Sequence, residues 1–200
     1  LRERGKDFGF SCDNLKLDYG VAVKRSRQNS DRLVKGVGFL MRKNAIMVFM
    51  GEAKFKSNNT LAVTDADKKV TELQAKNFIV ATGASAAVPP VWKVDGEKVV
   101  TYREAILQEK LPQSVVIIGS GAIGVEFATV WSSYGVEVTI VEMLPRLVPL
   151  EDEEVSKELK KEFEKRGIKC LVGHKVESVE ATKSGVKVKV SVEGKETTLE

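Results

Sequence analysis

The sequence predicts an α/β fold built on a parallel sheet. From about residue 115 onward, apolar runs of strand length alternate with helical patterns, a glycine turn joins the first strand to the first helix, and two alternating stretches near the end read as a β-hairpin layer. Length and composition agree with this. The 200 residues are enough for one domain or two small ones, and a hydrophobic content of 42% suits a chain that buries a core.

In order along the chain, Leu33, Val34, Val37, Leu40 and Met41 recur at helical spacing, and Arg42, Lys43 and Asn44 close that pattern. The spacing predicts a helix over 31–43. Ile46 to Met50, ended by Gly51, reads as a short strand, and Asn58-Asn59 reads as the turn before a second strand at Leu61-Ala62-Val63. Phe78 to Ala81 reads as a further strand stopped by Thr82-Gly83. Pro89-Pro90 and the loop Val94 to Glu97 interrupt regular pairing, since proline has no amide to donate, and place a domain boundary near residue 91. Val115 to Ile118 is the next expected strand. A helix from about Ala122 to Tyr134 follows, with Ile123, Phe127, Val130 and Trp131 on one face, and then a strand from Val136 to Val141. Val155, Leu159 and Phe163 mark another helix, with acidic Glu151 to Glu154 at its start, Lys165-Arg166 near its end and Gly167 after it, as the helix dipole favours. Ile168 to Val172 reads as a third strand, and Val176 to Glu180 with Val186 to Val192 as a hairpin turned at Lys183-Ser184-Gly185.

Several function classes are excluded early. A net charge of +4 spread along the chain forms no basic patch for nucleic acid. The most apolar stretch, 39–50, is broken by Arg42, Lys43 and Asn44 and falls short of the ~18 uncharged residues of a spanning helix. Cys12 and Cys170 stand too far apart for a local redox or metal motif and read as free thiols of a reducing compartment, the cytoplasm. His174 has no companion ligands at zinc spacing, so no metal site is expected.

The glycines Gly119, Gly121 and Gly124 carry the chemistry. G-x-G-x-x-G alone is weak evidence, and a ligand-free tight turn is the bland reading; here the motif follows a strand, opens a helix, and is followed by a second strand ending in Glu142, about 20 residues on, which is the dinucleotide fingerprint. The first glycine permits the turn, the second lets a pyrophosphate approach the backbone, and the third allows close helix-to-strand packing. Ser120, Ala122, Ile123 and the helix N-terminus complete a phosphate cradle. A carboxylate at Glu142, with Met143 beside it, accepts hydrogen bonds from the adenosine ribose and repels a 2′-phosphate, so NAD is expected rather than NADP. Arg146 is the rival signal and reads as a solvated loop residue.

Beyond the residues themselves, Phe78-Ile-Val-Ala-Thr-Gly-Ala84, Leu111-Pro112, the glycine fingerprint with Glu126, and Val141-Glu142-Met143 through Arg146 and Leu150-Glu151-Asp152 resemble the pyridine-nucleotide disulfide oxidoreductases, most nearly the members that oxidise dihydrolipoamide. Lys35 to Asn44 and Gly51 to Phe55 are similar to that family's flavin domain. The resemblance implies a Rossmann-like NAD-binding domain over 92–200, a parallel sheet plus β-hairpin layer without its final strand, preceded over 1–91 by an incomplete FAD-binding domain. It implies electron flow from dihydrolipoamide, or a lipoyl domain carrying it, through a redox disulfide and FAD to NAD+, in a homodimer. It places Glu126 beside the nicotinamide and Val176 near the adenine end, and it gives Ala53, Thr82, Gly83 and Ala84 a lesser part of the FAD site. The family's first glycine fingerprint, its C-x-x-x-x-C pair and its His-Glu pair have no counterpart in the sequence, which opens on Leu1 and reads as an inactive excerpt of a longer enzyme with no catalytic residue of its own. On that reading the 31–43 helix lacks its usual cover, so the first region is expected to pack differently or to pair with a second copy, and the NAD sheet to expose an edge. The alternatives are a mercuric or glutathione reductase-like enzyme, a non-catalytic NAD-binding module, and, more distantly, a methyltransferase.

Overall fold

The computed structural model describes residues 5–200 apart from Phe10, Cys12 and Asp13. The thiol expected at Cys12 therefore lies outside the described residues. The chain divides into two compact units, one comprising 26–85 and the other 86–200 together with the first 25 residues.

Helix α1 runs Tyr19–Lys43, twelve residues ahead of the expected start at Asp31. Its start is set by the Asp18 side chain, whose Oδ1 accepts the Val21 amide at 3.0 Å. The early part is missing from the periodic reading because Lys24 to Asp31 is almost wholly polar. At the far end the Leu40 carbonyl accepts both the backbone amide of Asn44, at 3.1 Å, and its side-chain amide, at 2.8 Å, which closes the last turn.

Within 26–85 the regular structure beyond this helix is a three-stranded antiparallel sheet of β1 (Glu52–Ser57), β2 (Thr60–Thr64) and β3 (Val70–Gln74). The β1–β2 pair turns at Asn58-Asn59 as expected, with Phe55 opposite Leu61. The strands expected at Ile46–Met50 and Phe78–Ala81 do not form, and apart from half-buried Phe78, which sets its ring edge-on to Phe55, their side chains lie exposed, Ile79 at 94%. An apolar run becomes a strand only when a neighbour takes its backbone hydrogen bonds, and no described strand pairs with either segment. The actual third strand, β3, escaped the sequence reading because its residues are mostly polar, with Thr71 and Leu73 turned to the half-buried side.

Residues 86–200 contain the expected alternation. A one-turn helix α2 (Tyr102–Ala105) opens on a capping box, with the Thr101 hydroxyl and amide both donating to Glu104. Strands β4 (Ser114–Ile118), β5 (Glu137–Glu142) and β6 (Lys169–Val172) then form a parallel sheet in the order β4-β5-β6. Helix α3 (Ala122–Ser133) links the first two and α4 (Glu153–Lys165) the second two. From Val138 onward β5 is buried on both faces, as a central parallel strand should be. Val138 and Ile140 pack with Ala128, Trp131, Leu147, Phe163 and Ile168. Val141 faces the other way, against Val188 and Val190 of the antiparallel layer.

That layer is a three-stranded meander of β7 (Lys175–Ala181), β8 (Val186–Val192) and β9 (Lys195–Leu199), one strand more than the expected hairpin. Polar Glu196, Thr197 and Thr198 hide β9 from a hydrophobic reading. The buried face of α3 agrees with expectation in part: Trp131 is buried and Phe127 packs on the core, but Ile123 and Val130 are exposed and Ala128 points inward. Apart from Glu126 and Thr129, every residue from Ala122 to Trp131 is apolar or glycine, so spacing does not choose a face. In α4, Phe163 is buried with half-buried Leu159, but Val155 points outward and Ser156 takes the inner position.

Candidate functional site

The strand-to-helix turn between β4 and α3 is held by three separate constraints. Gly119 adopts a φ of +96°, in the region that favours glycine, and its amide donates to the Val141 carbonyl at 2.9 Å, tying the turn to β5. A side chain on Gly124 would place its Cβ 2.2 Å from the Gly119 carbonyl oxygen, so only glycine lets the helix start this close to the strand. Gly121 is different. Its φ of −67° suits any residue, and a Cβ there would meet nothing within 4 Å. No packing within the described chain requires a glycine at 121; the open space over its backbone is what an approaching phosphate group needs.

Gly121 is also the N-cap of α3, and no side chain among the described residues caps it. The first intrahelical bond is Val125 N–H to the Gly121 carbonyl, at 3.2 Å, so the amides of the preceding turn face the helix end with the positive pole of its dipole. Ala122 and Ile123 are exposed there, and Glu126 lies exposed one turn further on.

Glu142 ends β5 beside this turn and is only 8% exposed. Its Oε2 accepts both the Ser120 amide, at 2.9 Å, and the Ser120 hydroxyl, at 2.8 Å, while Oε1 accepts the Leu144 amide at 2.8 Å. Burial pushes this carboxyl up, but the amides of Leu144 and Ser120, the Ser120 hydroxyl and the Met143 amide outweigh it and hold Glu142 below the ordinary carboxylate range. Glu142 is thus a charged acceptor at the tip of β5, where the fingerprint asks for one.

Ser120 itself is fully buried with both donors spent on Glu142, so it presents neither of them to a ligand. Met143 is exposed next to Glu142. The loops beyond the strands are knitted together: the Gly173 amide donates to the Leu144 carbonyl and the His174 amide to the Glu142 carbonyl, each at 2.9 Å. These backbone ties were missed by sequence reasoning, because an amide donor carries no signature in residue type. These groups meet at the carboxyl ends of β4, β5 and β6, the place where open parallel sheets bind ligands.

Other predicted positions are placed as follows. Val176 sits half-buried in β7 and packs against the cluster of Val141, Val188 and Val190. Arg146 is a half-buried loop residue that donates to the Pro149 carbonyl at 3.0 Å and braces its own loop. His174 donates through Nδ1 to the Val172 carbonyl at 2.8 Å, a turn contact. Cys170 is a half-buried free thiol pushed up to about 11, chiefly by burial. Among the described residues no three His, Cys, Asp or Glu side chains gather as a metal site, and no helix is long and apolar enough to cross a membrane. In the 26–85 unit, Ala53 lies exposed in β1 and Thr82, Gly83 and Ala84 in an exposed segment outside any strand.

A family profile described as pyridine nucleotide-disulphide oxidoreductase matches residues 6–200. A protein named dihydrolipoyl dehydrogenase from Chlorobaculum tepidum is 42% identical over 97% of this chain and 41% of its own length. One of the same name from Mycobacterium leprae is 47% identical over 96% of this chain and 41% of its own. The crystal structure of LpdA from Mycobacterium tuberculosis superposes with a TM-score of 0.85 at 26% identity, covering 98% of this chain and 43% of that one. A copper complex of RclA, a flavoprotein disulfide reductase of Escherichia coli induced by hypochlorous acid, superposes with a TM-score of 0.77 at 26% identity, covering 91% of this chain and 41% of that one. The chain therefore spans about two fifths of the length of these proteins.

Proposed function

Because the chain belongs to the pyridine nucleotide-disulphide oxidoreductase family, we propose that it supplies the NAD-binding portion, over 92–200, and part of the FAD-binding portion, over 1–91, of a dihydrolipoyl dehydrogenase. The observation that carries this is the pairing of an uncapped helix N-terminus over an unobstructed Gly121 with a buried carboxylate at Glu142.

The cradle fits a dinucleotide. Gly119, Gly121, Ala122, Ile123 and Gly124 line the turn where a pyrophosphate would be met by backbone amides and the helix dipole. Glu142, with Met143 beside it, receives the adenosine ribose and excludes a 2′-phosphate by charge. Val176 stands toward the adenine end and Glu126 toward the nicotinamide. When bound, NAD+ accepts a hydride from reduced flavin in enzymes of this kind. The flavin share of this chain is Ala53 with Thr82, Gly83 and Ala84, exposed positions that form no cradle by themselves, so its own chemistry is nucleotide binding. The whole enzyme acts on dihydrolipoamide or a lipoyl domain, as a homodimer in the cytoplasm. A second reading, another flavin-dependent disulfide reductase, draws on the likeness to RclA and shares the same nucleotide site.

Titration of the 200-residue chain with NADH tests this. Removing a charged acceptor costs about 1.5–3 kcal/mol, so Glu142→Ala is expected to weaken NADH roughly 10- to 100-fold with the fold retained by circular dichroism. NADPH is expected to bind the unaltered chain more weakly than NADH. Equal affinities for the two nucleotides would remove the ribose assignment.

A further inference from the structure

We infer that Val148 is a positioning residue for the nucleotide turn: its strained backbone holds the Ser120 carbonyl on the protein side and so turns the Gly121 amide outward. The inference rests on the nucleotide reading above and deepens it. Val148 has a φ of +40°. A β-branched residue in that left-handed region is an outlier that the surrounding structure has to impose. Three contacts impose it here. The Val148 amide donates to the Ser120 carbonyl at 3.0 Å, the Val148 carbonyl accepts the Glu151 amide at 2.9 Å, and the half-buried side chain packs on the core cluster that contains fully buried Leu147.

The consequence appears in the turn. Ser120 is fully buried, and a Val148 relaxed to an ordinary φ would swing its amide away and leave the Ser120 carbonyl without that donor. The described residues contain no cis peptide bond, so the Ser120 carbonyl and the Gly121 amide point to opposite sides of the bond that joins them. With the carbonyl held toward Val148, the Gly121 amide faces away from the 143–152 loop. Among the described residues nothing accepts that amide, Gly121 is exposed, and the space beside its Cα is open. The two amides before it are already spent, that of Gly119 on the Val141 carbonyl and that of Ser120 on Glu142, each at 2.9 Å. Gly121 therefore offers the first amide of the turn left for a diphosphate oxygen, and Val148 sets its direction.

Amide exchange of the unaltered chain, followed by NMR, tests this first. Before nucleotide is added, the Val148 amide is expected to exchange at least about tenfold more slowly than the Gly121 amide, and NADH is then expected to slow Gly121 and shift its signal. Equal exchange of the two amides overturns the inference, and that comparison needs no variant to fold. Titration of three variants with NADH tests it again. Val148→Pro removes the amide and is expected to weaken NADH about tenfold, the value of one hydrogen bond to a charged group. Val148→Gly keeps the amide and accepts the left-handed backbone, so it is expected to recover the affinity to within about threefold. Leu147→Ala is expected to lower the urea midpoint by opening a cavity, yet to bind NADH within about twofold of the unaltered chain, because the amide at 148 remains. Affinity that instead follows stability across the three variants gives Val148 a merely structural part and overturns this inference alone. A folded Val148→Pro that binds NADH as the unaltered chain does overturns it too. A chain that binds no NADH overturns the inference together with the nucleotide reading.

Discussion

In residues 86–200 an apolar run such as Val138 to Val141 ends buried on both faces, with helices on one side and a β-meander on the other. In residues 26–85 runs of similar composition end exposed: Leu33, Val34, Val37 and Leu40 line a bare stripe of α1, and Ile46 to Met50 lie in the open. Val63 is the one buried hydrophobic residue among the described residues of that unit. The contrast teaches that hydrophobicity supplies the drive for burial but not its geometry. A residue is buried only where a second layer exists to receive it, and two layers around one core are the minimum that a stable domain needs. Strand formation obeys the same condition through backbone pairing, which explains why Phe78 to Ala81, apolar and β-branched, forms none.

The largest expected effect sharpens that comparison by deletion on each side. Ile140→Ala opens a cavity at the centre of the parallel sheet and is expected to cost about 2–5 kcal/mol in urea unfolding followed by circular dichroism. Leu33→Ala removes a comparable side chain from an exposed stripe and is expected to stay within about 0.5 kcal/mol. A loss at Leu33 as large as that at Ile140 would show that something covers the stripe in solution.

Next come the two glycines that look alike in the sequence and differ in space. Gly124→Ala drives a Cβ into the Gly119 carbonyl, and overpacking of that kind costs about 1–3 kcal/mol. Gly121→Ala meets no atom and is expected to leave stability within about 0.5 kcal/mol, while lowering NADH affinity because the new methyl stands at the proposed pyrophosphate site. Should Gly121→Ala bind NADH as well as the unaltered chain, the open space there has another use.

Acid titration separates the units by charge. The Glu142 carboxyl is held below its ordinary value of 4.5 in the folded chain, so the unfolded chain takes up its proton first. The stability it contributes is complete above about 4.5 and is lost as the pH falls through the lower folded value. Glu142→Gln is therefore expected to flatten the acid limb of the stability curve for the 86–200 unit, and an unchanged limb would contradict the cost of breaking the Ser120 clasp. The smallest effect is chemical. With its thiol pushed up to about 11, Cys170 is expected to react with a disulfide reagent at pH 8 more slowly in the native chain than in urea, as peptide mapping after labelling would record.

Much of the site was legible before the fold was known. The glycine spacing, the strand before it and the acidic residue that ends the next strand are local features, and the Ser120 bonds to Glu142 bring them together. The second sheet layer was half legible, because β7 and β8 alternate but β9 is polar. Least legible was the 26–85 unit, where β3 looks like a loop and two apolar runs look like strands.

By itself the sequence determined the parallel α/β alternation and the glycine turn that opens α3, since each depends on residues close together in the chain: glycines that allow one backbone path, caps that start a helix, apolar runs short enough for strands. Only the tertiary structure decided which apolar runs became strands, which face of α3 turned inward, and that Ser120 spends its hydroxyl on Glu142. Those outcomes depend on partners distant in sequence, and a backbone amide or a lone pair is assigned only when every competitor for it is in place.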